Sequence, residues 1–98
     1  MAAVVNHLHF KEPVNATIFA ASETDLLPQM RAIEGFRGFE VVQTSERDVI
    51  LVILGDSVEV LDRIATEVGS PWMCEHVVPL LDGPPQRHIG PSLASSLS

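Results

Sequence analysis

The chain has 98 residues, 46% of them hydrophobic, which is enough for a single domain with its own core over residues 1–98. Its formal net charge of −7, from 13 acidic and 6 basic residues, argues against nucleic acid or an anionic membrane as the main partner. The single cysteine cannot close an intrachain disulfide, and the chain shows neither a secretion signal nor an apolar run that could span a bilayer, so a cytoplasmic protein is expected.

The first predicted strand runs from Val4 to Lys11. Because side chains alternate between the two faces of a strand, Asn6 shares a face with large apolar side chains, and His7 and His9 lie on the other. A buried amide must find hydrogen bonds, so Asn6 either bonds to neighbouring backbone or has a function. His7 and His9 point the same way, but no carboxylate or cysteine is expected beside them, and no metal site is predicted.

A helical region is predicted from Asn15 to Ile33, where apolar residues recur at helical spacing. Pro28 interrupts this region. It indicates either one helix that is kinked or broken, which we favour, or a separate second helix with Asp25 as its N-cap. Gly35 is expected to end the region as a C-cap.

A β-hairpin follows, with strands from Phe36 to Thr44 and from Val49 to Leu54 joined by a polar turn. The second strand consists of six apolar residues in succession, which predicts that neither of its faces meets water. The helices of this chain can cover one face. The other face is therefore expected to pack against a partner sheet.

The next helix is predicted to begin at the capping-box segment 56–59 and to continue to Gly69. Glu59 and Arg63 lie one turn apart on it and are expected to form a surface ion pair. These features make this helix a firm element of the predicted fold.

A new short helix is predicted at Ser70-Pro71, with Ser70 as its N-cap, and it carries Trp72 and His76 one turn apart. The last strand is predicted from His88 to Leu93, with Pro91 confining it to a sheet edge. Residues 92–98 are expected to form a frayed tail.

The order of these elements is βαββαβ, which predicts an α+β fold of the ferredoxin-like type, an antiparallel sheet with helices on one face. The uncovered face would carry Val5, His7, His9 and half of the strand from Val49 to Leu54. A monomer rarely exposes so much apolar surface, so a homodimer with two sheets packed face to face is predicted.

The G-F-R-G-F-E-V-V run before an apolar strand, the chain length, the βαββαβ order and the short helix with His76 resemble the antibiotic-biosynthesis-monooxygenase type of dimeric α/β barrel. The resemblance covers about Val4 to Leu81. It implies a dimer with one small cleft per subunit, between the helices and the sheet. Members of this family include oxygenases, haem-degrading enzymes and proteins without known activity.

The resemblance also implies roles for single residues. In the haem-degrading and quinol-oxidising branches an Asn on the first strand projects into the cleft, and Asn6 is similar to it. In the haem-degrading branch a His after a Gly-Pro or Ser-Pro step is the axial iron ligand, as His76 would be here. That branch also has a Trp in the preceding helix. This Trp is missing here, since the nearest position in this sequence is Glu67.

Asn6 and His76 are accordingly the predicted catalytic residues, because an imidazole can accept a proton from a phenol and an amide can hold the resulting oxyanion. Trp72, Phe10 and Met30 are predicted to bind the ring of a small aromatic ligand. The sequence has no dinucleotide fingerprint and no paired metal ligands, so no cofactor is predicted, although haem stays possible.

Three classes of function follow from the sequence. The first is a cofactor-independent monooxygenase that acts on a small aromatic or a quinol. The second is a haem-binding or haem-modifying protein with His76 as axial ligand. The third is a ligand-binding dimer without catalysis.

Overall fold

The computed structural model describes residues 1–96. Its four strands are β1 (Ala2–His9), β2 (Phe36–Gln43), β3 (Asp48–Gly55) and β4 (Gln86–Pro91). They form one antiparallel sheet in the order β2-β3-β1-β4. The helices are α1 (Ala16–Asp25), α2 (Leu27–Arg31), α3 (Val58–Ile64) and α4 (Ser70–His76), with a short 3₁₀ turn at Val78–Leu80. This arrangement confirms the predicted ferredoxin-like α+β fold.

Burial along β3 alternates strictly, and the two faces of the sheet differ accordingly. Val49, Leu51 and Ile53 are buried under the helices, whereas the residues between them are only partly buried. Alternation of this kind places every second side chain in the core. The helix side of the sheet is therefore covered within one chain, and the other side, called here the open face, is not. The homodimer stays a prediction.

The break predicted near Pro28 is confirmed. Helices α1 and α2 are separated by Leu26 alone, whose backbone stays in the right-handed helical region, with φ −99° and ψ −48°. Pro28 lies in the first turn of α2, where its missing N–H leaves no helical hydrogen bond unmade. Asp25 does not act as an N-cap, because it is the last residue of α1.

Ser57 caps α3, since its hydroxyl accepts a hydrogen bond from the Val60 N–H at 3.3 Å. The predicted pair between Glu59 and Arg63 was wrong. Arg63 instead donates to Glu67 at 2.9 Å, one turn further along.

The predicted restart of the helix at Ser70 was also wrong. Ser70 has helical angles, and its N–H donates to the Ala65 carbonyl five residues back. A π-turn over Ala65–Gly69 therefore joins α3 to α4 without a break. Pro71 follows in the first turn of α4, where a proline is tolerated. The widened turn is what lets a proline occur in a helix that runs on.

The last strand is Gln86–Pro91, two residues earlier than predicted. It pairs only with β1 and so lies at the sheet edge, where Pro91 costs little because a ladder hydrogen bond is not required of it. Of the tail predicted to fray, Ser92 donates its N–H to the Met1 carbonyl at 2.9 Å, and residues 97–98 lie outside the described part.

Gly35 should be the least replaceable glycine of the fold. Its φ is +96°, and an added Cβ would lie 2.8 Å from Val60 Cγ2. We expect Gly35→Ala to lower the free energy of unfolding by about 2–4 kcal/mol, from backbone strain plus steric overlap, measured by urea denaturation.

Gly83→Ala is the matched control, because Gly83 has φ +99° and no heavy atom within 4 Å of the added Cβ. It should lose only the backbone part, about 1 kcal/mol. Equal losses in the two variants would show that the contact with Val60 carries no strain.

Candidate functional site

A cavity of about 350 Å³ lies between the helices and the covered face of the sheet. Its walls are mostly apolar side chains, contributed by β1, β2 and β3 below and by α1, α2 and α4 above. Three residues of the π-turn region also line it: Ala65, Gly69 and Ser70. A volume of this size and an apolar lining are typical of a site for a small organic molecule.

Two polar side chains enter the cavity from neighbouring strands. Asn6 on β1 and Arg87 on β4 are direct partners in the antiparallel register, and both line the cavity. The Asn6 amide has no hydrogen-bond partner among residues 1–96, so it is free to bond to a ligand. The Arg87 guanidinium donates to Asp62 Oδ1 at 3.1 Å and is 38% exposed, which leaves other N–H groups for a ligand.

Trp72 forms part of the cavity wall and is buried. Its ring lies 6.5 Å from the ring of Phe19 and 5.1 Å from that of His76, measured between centroids. Its indole N–H has no acceptor within the described part of the chain, and an unmade hydrogen bond of this kind costs about 1–3 kcal/mol.

The structure brings together three of the five residues predicted for the site. Asn6, Met30 and Trp72 line the same cavity. Phe10 does not: it is buried in the core, forms a bridge with Leu81, and meets the edge of Phe19 at 6.0 Å. The roles of these residues in binding and catalysis remain predictions.

His76 does not line the cavity either. Its side chain is 44% exposed, its Nε2 lies 3.8 Å from Glu75 Oε2, and its ring lies against that of Trp72. Residues four apart on a helix lie next to each other along its axis. The His76 ring therefore contacts the Trp72 ring and does not extend beyond it into the cavity. Because no described imidazole lines this cavity, the residues present do not fit a haem held there by His76.

Arg87 was missed by the sequence analysis because the last strand was placed two residues too late. The available signal was its alternation with Ile89, which pairs with the buried Val4. A strand that begins at Gln86 puts Arg87 on the helix side, beside Asn6.

A second polar cluster lies on the open face. His7 Nε2 and His9 Nδ1 lie 2.9 Å and 2.8 Å from the same oxygen of Asp48, and the Ser45 hydroxyl donates to the other at 2.5 Å. The expectation that no carboxylate lies beside these histidines was wrong, because Asp48 pairs with His9 across β1 and β3. Among residues 1–96, no three His, Cys, Asp or Glu side chains, including these three, are arranged so that they could hold a metal ion.

Asp48 makes the stability of this hairpin sensitive to acid. The Ser45 hydroxyl, His9 and His7, in that order, hold the pKa of Asp48 well below its ordinary value of 3.8. A carboxylate with a lowered pKa stabilises the fold above its unfolded pKa and stops doing so as the pH falls through its folded pKa.

We therefore expect Asp48→Asn to be less stable than the wild type at neutral pH, with the difference shrinking as the pH falls from about 4 towards 2. Urea unfolding at a series of pH values measures it. Asp82→Asn is the control, because the Asp82 carboxylate has no such partners among residues 1–96, and it should differ little from the wild type. A stability difference between Asp48→Asn and the wild type that grew as the pH fell would contradict the lowered pKa of Asp48.

Solved structures share this architecture. The NE2512 protein of unknown function from Nitrosomonas europaea has a TM-score of 0.80 at 17% identity, with 99% of this chain and 93% of that chain covered. The ActVA-Orf6 monooxygenase of Streptomyces coelicolor, in complex with nanaomycin D, has a TM-score of 0.77 at 15% identity over 99% and 91%.

SnoaB, a cofactor-independent oxygenase from Streptomyces nogalater, has a TM-score of 0.72 at 8% identity over 99% and 97%. The chain has the fold of the antibiotic biosynthesis monooxygenases. At these identities the likeness establishes the fold. No family model and no curated protein matches the sequence, and none of the helices in residues 1–96 is long and apolar enough to cross a membrane.

Proposed function

We propose that this protein is a cofactor-independent monooxygenase that oxidises a small phenol or quinol in the cavity between the helices and the sheet. The observation that carries this proposal is an apolar cavity with Trp72 in its wall and with Asn6 and Arg87 side by side on adjacent strands. The fold supports it, since SnoaB is a cofactor-independent oxygenase and ActVA-Orf6 is a monooxygenase in complex with the ligand nanaomycin D.

The first step is loss of the phenolic proton. A guanidinium beside the hydroxyl lowers its pKa, and the Asn6 N–H donates to the resulting oxyanion without adding charge. The proton is transferred to water at the solvent-accessible end of the cavity, where Arg87 is partly exposed. We propose that His76 acts indirectly, by positioning the Trp72 ring that it contacts.

The oxidation needs only the substrate and O₂. The phenolate gives electrons to O₂, a carbon–oxygen bond forms at a ring carbon that carries hydrogen, opposite the oxyanion in a phenol and beside it in a quinol, and the O–O bond then breaks. One oxygen stays as the new ring carbonyl, and the other leaves as water with the ring hydrogen and the phenolic hydrogen. A phenol and O₂ thus give a quinone and water, and all four electrons come from the substrate.

A homodimer is part of this proposal. The open face presents Val5, Ile50, Val52 and Leu54, all of which are only partly buried in the single chain. A second copy that packs its own open face there would remove this apolar surface from water.

The test is oxygen consumption by the purified protein with a panel of one- to three-ring phenols and quinols, without added flavin and in the presence of a metal chelator. We expect turnover with one atom of ¹⁸O₂ in the quinone and the other in water. Absence of turnover across the panel would overturn the proposal.

A haem titration followed by absorption, with the wild type and His76→Ala, addresses the competing function. A Soret band that the wild type forms and His76→Ala loses would support haem binding instead. We expect no His76-dependent band, because His76 does not line the cavity.

A further inference from the structure

A second cavity of about 240 Å³ lies next to the first, between α1 and the β2–β3 hairpin. Its lining includes Ala16, Ala20 and Glu23 from α1, Val41 and Gln43 from β2, and Val49 from β3. Phe19 is the one residue that lines both cavities within the described part of the chain.

The two cavities follow each other along the same strands. On β3, Ile53 and Leu51 line the first cavity and Val49 lines the second; on β2, Phe39 lines the first and Val41 lines the second. Successive positions on one face of a strand are about 6.6 Å apart. Val41 and Leu51 are register partners that line different cavities, so the boundary is only about one side chain thick.

Phe19 is held in this boundary by other rings. It is buried, its ring meets Phe10 edge-on at an interplanar angle of 82°, and it is tilted against Trp72 by 56°. Contacts of this kind restrict an aromatic side chain to one orientation. The ring that lines both cavities thus also contacts the proposed ligand-stacking residue.

We propose that Phe19 is a specificity-determining residue that divides one elongated groove and restricts the main cavity to short planar aromatics. Without the Phe19 ring the groove would admit a longer fused-ring phenol, whose far hydroxyl would donate to Glu23 or Gln43. The inference rests on the proposed function for the class of ligand, but the division of the groove is a property of the fold alone.

The test uses the fluorescence of Trp72, the only tryptophan of the chain and part of the first cavity wall. Hydroxynaphthoquinone and hydroxytetracenequinone serve as the short and long probes, titrated into the wild type, Phe19→Ala and Phe19→Leu. We expect the affinity for the long probe relative to the short probe to rise by about tenfold or more in Phe19→Ala, since added rings become buried.

Val68→Ala is the matched control, because Val68 is buried and lines neither cavity. It should leave the ratio of the two affinities unchanged. Adding Ala20→Leu to the Phe19 variant should reverse the gain by filling the second cavity. An unchanged ratio in a folded Phe19 variant, or an equal rise in Val68→Ala, would overturn the inference.

A crystal structure of Phe19→Leu without ligand keeps the inference testable if Phe19→Ala fails to fold or no probe binds. One continuous cavity past position 19 would support it, and a collapsed or still divided groove would overturn it. Failure of all probes to bind the wild type would count against the proposed function, whereas a divided groove in this variant would count only against the role of Phe19.

Discussion

Leu51→Asp is expected to prevent folding, and Val52→Asp is expected to give a folded monomer. Leu51 is 6% exposed under the helices, whereas its neighbour Val52 is partly buried on the open face. An ionised carboxylate in an apolar core costs several kcal/mol, comparable with the whole stability of a domain of about 5–15 kcal/mol. On the open face the same carboxylate would reach water in the monomer and be buried only in the dimer.

The measurements are circular dichroism for folding and sedimentation velocity for assembly. Leu93→Asp is the control, because Leu93 is 96% exposed and should tolerate the change in both assays. A wild type that sediments as a monomer at micromolar concentration would contradict the homodimer. A Val52→Asp dimer would show that the open face is not the interface.

Asn6→Ala and Arg87→Ala are each expected to lower kcat by about 10²–10³, the usual effect of removing one donor to a developing oxyanion. Both variants should fold. The Asn6 side-chain amide has no hydrogen-bond partner within residues 1–96, and the ion pair between Arg87 and Asp62 is solvent-exposed, so its loss costs at most about 1 kcal/mol.

Arg63→Ala separates a local effect from a change in net charge. Arg63 is also a partly exposed arginine paired with a carboxylate, but it does not line the cavity. Its removal should leave kcat unchanged. Equal losses in Arg63→Ala and Arg87→Ala, or an unchanged kcat in Asn6→Ala, would remove these donors from the mechanism.

Trp72→Ala and the heat stability of the wild type with planar aromatics together distinguish ligand stacking by Trp72 from mere packing of its ring. If the ring only packs α4 onto the core, the variant should lose about 3–5 kcal/mol of stability, and planar aromatics should not protect the wild type against heat. We expect such protection, because Trp72 is part of the wall of the cavity.

The fold could be predicted from the sequence because its signals are local. A two-residue period places Asn6 on the helix side of β1, and the apolar run of β3 predicts a strand with neither face in water, of which the single chain buries one face. Proline positions also act locally, which is why the sequence predicts the break near Pro28. The prediction that Gly35 caps the helical region was wrong, because α2 ends at Arg31 with Ala32 as its C-cap, and Gly35 lies in the turn that follows.

The candidate site depends on contacts between distant segments, which such patterns do not contain. The carboxylate of Asp48 lies between His7 and His9 because β1 and β3 pair in one particular register. Asn6 and Arg87 are 81 positions apart and meet only because β4 adds to the edge of β1.

The helix after β3 shows the same division. Its apolar spacing and a start within the segment 56–59 could be predicted from the sequence, but the Ser70-Pro71 step predicts a new helix start that the structure does not have. The tertiary structure instead continues the helix through a π-turn, whose extra residue per turn accommodates the proline. Only the packed helix then decides that Trp72 meets the cavity and that His76, one turn later, meets solvent.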